Sequence, residues 1–169
     1  MASSLTDIEQ LNDTLAWAAY QGFQKTCEVL LKAGAHPTLL ALSEALSQGH
    51  LALAEQLLEA GADPNGEGPR VLSLCALTGD IPGALLLLRN GAIPNKDALT
   101  SASMEGHIEM VKVLLDWGAN PWNEEAINYA KGDQDIEQAI LAYQEANIVQ
   151  RLIEEHQTSE PVPFKRHRL

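Results

Sequence analysis

Aromatic residues are scarce in this chain of 169: two Phe, three Trp and three Tyr make up 5%. Its interior must therefore be filled by Leu, Ala, Val and Ile. Cysteine is scarcer still. Cys27 and Cys75 each sit within an apolar helical pattern, which argues against a disulfide-stapled secreted scaffold. Two thiols in separate segments do not complete a zinc site, and both read as buried thiols in a reducing compartment. No run of about 18 apolar residues occurs, so no membrane span is expected. The opening MASSLTDIEQ lacks the basic-then-apolar pattern of a secretory signal. HExxH, CxxC, phosphate-loop and GxSxG motifs are all missing. Asp133, Asp135 and Glu137 lack the glycine and final glutamate of a calcium loop and are expected to start a helix. The chain is thus read as a non-enzyme with no cofactor and no metal, located in the cytoplasm.

Positive charge is also short. Lys and Arg number 11 against 23 Asp and Glu, a net charge of −12. The last 13 residues hold Lys165, Arg166 and Arg168 against Glu160, so the rest of the chain carries −14. Such a field repels phosphates and predicts no nucleic-acid partner, while favouring a basic one.

Glycine, in contrast, is placed at regular intervals. Gly22, Gly49, Gly79 and Gly106 are 27, 30 and 27 residues apart, and Gly34, Gly61, Gly91 and Gly118 each follow 12 later. The segments GFQKTCEVLLKAGAHP, GHLALAEQLLEAGADPN, GDIPGALLLLRNGAIPN and GHIEMVKVLLDWGANPW align in register. A period of this length is the mark of stacked helical units. In the unit Ala98–Trp122, ALTSASMEG makes about two helical turns and stops at Gly106, which supplies positive φ. HIEMVKVLLDWG then places Ile108, Val111, Leu114 and Leu115 on one face. Gly118 ends this helix and Pro121 prevents its continuation. Upstream helix pairs fall near Leu15–Tyr20 with Lys25–Lys32, Leu42–Ser47 with Leu51–Glu59, and Val71–Leu77 with Pro82–Arg89. Ala18, Ala19, Ala45, Ala76 and Ala102 keep the short inner helices slim enough for close contact. No unit buries its apolar face alone; stacking completes the core.

The stretches AAYQGF, EALSQGH, CALTGD and SASMEGH, followed by VLLKAGAHP, QLLEAGADPN, LLLRNGAIPN and VLLDWGANP, resemble ankyrin repeats over roughly Leu11–Trp122. The resemblance implies an all-α, ankyrin-like helical solenoid of four clear repeats plus a degenerate fifth and a C-terminal capping helix. The units are shorter than the family's usual length of about 33 residues. The missing residues fall where the family projects a hairpin finger, so fingers should be short or absent. Only Asp63–Arg70 leaves room for one. His50 and His107 occupy the family's Gly-His position and are expected to hydrogen-bond within that turn.

The ends need caps. Leu5–Leu11 suggests a short leading helix. Ile136, Ala139, Ile140, Tyr143, Ala146, Val149, Leu152 and Ile153 recur three or four apart, predicting a final helix of about 20 residues that caps the stack or docks a partner. The array is assigned to residues 1–156 and a disordered basic tail to 157–169. Within that tail, FKRHR is a weak nuclear or anionic-surface signal.

The resemblance also implies a protein–protein interaction module, since partners of this family often contact inner helices and finger tips. The residues before each inner glycine are Tyr20–Gln21, Ser47–Gln48, Leu77–Thr78 and Met104–Glu105. The period carries them to one face, and Asn65 and Arg70 flank it on the loop. Tyr20, Leu77 and Met104 are either exposed anchors or packed under short loops. Trp117 and Trp122 are either a second anchor pair or a cover for the last repeat junction. Three functions fit: binding a partner protein through the inner face as a monomer or weak dimer, inhibiting by acidic mimicry of nucleic acid, or acting as a bacterial or viral effector on a host protein.

Overall fold

The computed structural model describes residues 2–66 and 70–158, with side chains over 7–66 and 71–154. Among these, the elements are α1 (Ala2–Tyr20), α2 (Gln24–Lys32), α3 (Leu39–Ser47), α4 (Leu51–Glu59), α5 (Arg70–Thr78), α6 (Ile81–Arg89), α7 (Lys96–Met104), α8 (Ile108–Asp116), α9 (Glu124–Ala130) and α10 (Gln134–Thr158), with no strand. They pair as five helical hairpins. The odd-numbered helices stack on one another as an inner layer, and α4, α6, α8 and α10 stack as an outer one.

The alternation follows from glycine geometry. At the end of α3 the His50 N–H donates to the Ala45 carbonyl at 2.8 Å and the Gly49 N–H to Leu46 at 2.9 Å, with Gly49 at φ +72°. This pair of bonds satisfies the orphan carbonyls of the helix end and reverses the chain. The same pattern closes α4, where Ala62 donates to Leu57 and Gly61 to Leu58. Two such stops, 12 residues apart, define one unit.

The core repeats with the units. Leu15, Leu42, Leu72 and Leu99 on the inner helices and Leu57, Leu87 and Leu114 on the outer ones are fully buried. Burying each such side chain contributes about 1.5–3 kcal/mol. Ala18, Ala19, Ala45, Ala76 and Ala102 have no exposed surface, as close inner-helix contact requires. Side-chain caps start several helices: Thr38 for α3, Asp80 for α6, Asn95 for α7 and Asn123 for α9. Gly83, in the first turn of α6, leaves the space in which the Asp80 carboxylate lies.

Among the described residues no loop between units forms a strand hairpin. The loop after α4 turns at Asp63–Gly66, where the Gly66 N–H donates to the Asp63 carbonyl at 3.2 Å; residues 67–69 lie outside the described set. Side-chain amides tie successive units where hairpins would. Asn65 donates to the Gly91 carbonyl at 2.8 Å and accepts from the Ile93 N–H at 2.9 Å. Asn12 accepts from the His36 N–H, and Asn123 donates to the Lys96 carbonyl.

Three features differ from expectation. The leading helix is not separate: α1 runs unbroken for 19 residues, because neither glycine nor proline interrupts it. The final helix is 25 residues long, not about 20. The fifth unit is also better formed than its sequence suggests. Ala130 and Asp133 close a turn (Asp133 N–H to Ala130 carbonyl, 3.0 Å) with Lys131 at φ −62°, ψ 114° and Gly132 at φ +108°. That is a type II turn, whose third position calls for glycine. Asp133 then caps α10 by accepting from Asp135 and Ile136 N–H groups, as expected of a helix start.

The first half of α10 packs against the stack through buried Ile136 and Ile140. The Tyr143 hydroxyl donates to Asp116, and Gln144 donates to the Pro121 carbonyl at 2.7 Å. From Glu145 to Glu154 every side chain is exposed. The tail assigned to 157–169 falls, from residue 159 on, outside the described residues.

Candidate partner-binding surface

The unit phase places one residue two before each inner glycine at the same end of each inner helix: Tyr20, Ser47, Leu77 and Met104. Tyr20 is 44% exposed, Leu77 39% and Met104 46%. They are therefore not packed under loops. Gln21, Gln48, Thr78 and Glu105, the next residues along, are exposed as well. Large apolar side chains are thus left half in water at one repeated position in three of the four units, with Ser47 in the second, and a shared phase of this kind suits a docking surface.

The first unit extends this face in a way the glycine phase alone does not reveal. Trp17 lies one turn before Tyr20, and Phe23 follows the turn; both are about half exposed. Their rings meet edge to face with centroids 5.6 Å apart. The i, i+3 spacing of Trp17 and Tyr20 was the available signal. Glu44, one turn before Ser47, holds the equivalent position in the second unit and is half-buried.

The remaining sequence-derived residues lie elsewhere. Trp117 caps the C-terminus of α8 and Trp122 sits in the loop before α9, 43% and 41% exposed. Both are at the loop end of the unit, across a nine-residue helix about 13 Å long from the row at the inner glycines. They lie apart from that row. The amide of Asn65 is engaged in bridging two units, and the Arg70 side chain lies outside the described residues.

The Gly-His histidines act between units rather than within their own turn. The His107 Nε2–H donates to the Leu77 carbonyl of the preceding unit at 3.1 Å. Neither His50 nor His107 makes a side-chain cap bond to its own helix. The His50 ring instead covers Gly22, where an added Cβ would come within 2.7 Å of it, and the His107 ring covers Gly79 at 3.0 Å. This cross-unit packing keeps the inner turns in line and holds the exposed row in register.

Both cysteines are buried and free. Burial pushes the Cys75 thiol up to about 12, with the Asp80 carboxylate adding to the effect; burial raises Cys27 too. Neither is a thiolate near neutrality, so neither is poised for nucleophilic work. Among the described residues no group of three or more His, Cys, Asp or Glu is placed to hold a metal ion, and no helix is long and apolar enough to cross a membrane.

Two stacked helical layers, glycine-stopped hairpins and short polar loops define a helical repeat protein. Residues 42–125 match the family model described as ankyrin repeats (3 copies), and the chain belongs to the ankyrin-repeat family. No curated protein matches the chain. Ankyrin repeats are in general protein–protein interaction modules and typically not enzymes.

Proposed function

We propose that the chain binds a partner protein through the inner-helix row Tyr20, Leu77 and Met104, extended by Trp17 and Phe23 at the first unit. The observation that carries this reading is the exposure of large apolar side chains at one repeated phase of the array. Gln21, Ser47, Gln48, Thr78 and Glu105 supply a polar rim. An apolar centre with a polar surround is the usual anatomy of a specific interface.

A second reading rests on net charge. The outer helices carry Glu28, Glu55, Glu59, Glu109 and Asp116, which would let the protein occupy a basic site by imitating nucleic acid. The row is broken at α6, which has no carboxylate and ends in Arg89. Lys32 and Lys112 neutralise part of what remains by pairing with Glu28 and Glu109. The inner face is the better supported surface.

The test is comparative capture. The wild-type chain and the variant Leu77→Asp/Met104→Asp are used as baits in parallel, with partners identified by mass spectrometry. Partners found with wild type should be lost with the variant while its helical circular dichroism is unchanged, and wild-type capture should survive high salt. Retained capture by the folded variant, together with loss in high salt, would move the assignment to the acidic outer surface.

A further inference from the structure

The residue after each inner glycine is Phe23, His50, Asp80, His107 and Asp133 in successive units. Where it is histidine, its side chain reaches the glycine of the unit before. At the first junction the His50 ring covers Gly22, and at the third the His107 ring covers Gly79. At the second junction the residue is Asp80, and nothing lies within 4 Å of where a Cβ on Gly49 would stand. Asp80 is too short to reach, and its carboxylate is drawn back to cap α6, accepting from the Gly83 N–H at 3.1 Å. This junction also has the 30-residue spacing, and α3 and α5 pack less closely than the other inner pairs. At the fourth junction Asp133 comes no nearer than 4.0 Å to the corresponding point on Gly106.

The result is an open cavity of about 270 Å³ in the seam between the second and third units. Leu46, Leu74 and Cys75 make its apolar wall, and Ser47, Thr78 and Asp80 its polar edge. Ser47 and Thr78 belong to the exposed face described above, so the cavity opens onto the middle of that face.

We infer that this cavity is a subsite for a long cationic side chain, an arginine or lysine, presented by the partner protein. The inference rests on the partner-binding reading of the inner face and adds the chemistry of one anchor. An aliphatic stem suits the Leu46, Leu74 and Cys75 wall, and a cationic head suits the one carboxylate at the edge. Cys75, being a neutral thiol, offers no competing charge. Charge complementarity selects a cation over an anion. Glu44 stands one turn from Ser47 on the same face, and the chain as a whole carries −12. Asp80 accepts from the Gly83 N–H at Oδ1 and, at 4.0 Å, from the Cys75 thiol at Oδ2, which leaves acceptor capacity over, since an ionised carboxylate has about four acceptor sites.

The probe is n-butylguanidinium, titrated into the full-length chain and followed by amide chemical shifts, with n-pentanol as neutral control and butyrate as anionic control. Saturable shifts are expected at the amides of Gly49, Cys75 and Thr78, with the cation binding at least about tenfold more tightly than pentanol. Asp80→His, which copies residues 50 and 107, should fill the cavity and abolish these shifts with the helical signal retained. Asp80→Asn preserves the volume and should weaken the cation by about tenfold while leaving pentanol unchanged. The proposal is overturned if the cation gives no saturable shift there, if pentanol binds equally well, or if a folded Asp80→His or Asp80→Asn chain binds the cation like wild type. Leu77→Asp/Met104→Asp separates the two readings. It should lose partner capture yet keep the butylguanidinium response, so failure of the cavity and failure of the exposed row are read independently.

Discussion

His107 donates a hydrogen bond from Nε2 to the carbonyl of Leu77, 3.1 Å away and 30 residues earlier in the chain. The bond joins the start of one outer helix to the inner helix end of the unit before. Leu77 is one of the exposed residues proposed to bind a partner, so the bond anchors the backbone of the proposed row.

Removing that link should loosen the array. His107→Ala deletes the bond to Leu77 and uncovers Gly79, and a single hydrogen bond with its packing contributes about 1–2 kcal/mol. The unfolding free energy from urea titration should fall by that amount, with a lower midpoint and little change in slope. A larger slope change would mean that the units on either side no longer unfold together.

Gly22 and Gly49 make a matched pair. Both sit at φ +72°, so alanine at either site carries the left-handed penalty of about 1 kcal/mol. They differ in surroundings: a Cβ at Gly22 would come within 2.7 Å of the His50 ring, while one at Gly49 meets nothing within 4 Å. Gly22→Ala should therefore destabilise more, by about another 1 kcal/mol of overpacking. In a His50→Ala background the two substitutions should cost the same. A double-mutant cycle measured by urea unfolding checks this.

Alkaline pH should destabilise the fold through two identifiable groups. The Tyr143 hydroxyl is raised to about 12, first by its hydrogen bond to Asp116, and Cys75 to about 12, first by burial. In both cases the folded chain holds the proton more tightly than the unfolded chain, whose values are near 10.0 and 9.0. Their contribution is fully present below about pH 9 and is lost as pH rises toward 12. Urea midpoints should be level from pH 7 to 8.5 and then fall. Cys75→Ala should flatten the onset near pH 9, and Tyr143→Phe the part above pH 10.

What could be read from the sequence depended on how tightly backbone geometry restricts residue choice. The inner and outer stops were legible because left-handed φ singles out glycine, and Gly22, Gly49, Gly79 and Gly106 cluster at φ +69° to +74°. The fifth stop at Gly132 escaped because it closes by a type II turn at φ +108°, and no glycine 12 residues later marks the end of its outer helix. Exposure of Tyr20, Leu77 and Met104 was one of two open readings. Choosing between them required knowing that the short loops do not reach the inner helix ends. The cavity was not legible, although Asp80 departs visibly from the histidines at 50 and 107. A sequence shows that the residue changed, but not that its side chain fills a neighbouring unit. The bonds of Asn65 to residues 26 and 28 positions away were hidden for the same reason.

The last helix should divide functionally near Glu145. Its first half carries buried Ile136 and Ile140, the Tyr143 bond to Asp116 and the Gln144 bond to Pro121. Deleting residues 134–169 removes all of these and uncovers α8 and α9, the helices on which α10 packs. Two buried isoleucines alone represent about 3–6 kcal/mol, a large share of the stability of a domain this size. That truncation should aggregate or lose cooperative unfolding. Deleting residues 147–169 instead removes side chains that, over 147–154, are all exposed. Its unfolding free energy in urea should stay within about 0.5 kcal/mol of the full chain, the usual range for surface changes. Ile148, Val149, Leu152 and Ile153 go with this segment, and they are about half exposed. The shorter chain should therefore also be more soluble at high concentration, since an apolar helix face open to water favours self-association. If deleting 147–169 destabilised the array as much as deleting 134–169, the stability would reside in the outer half of α10 and the division at Glu145 would be refuted.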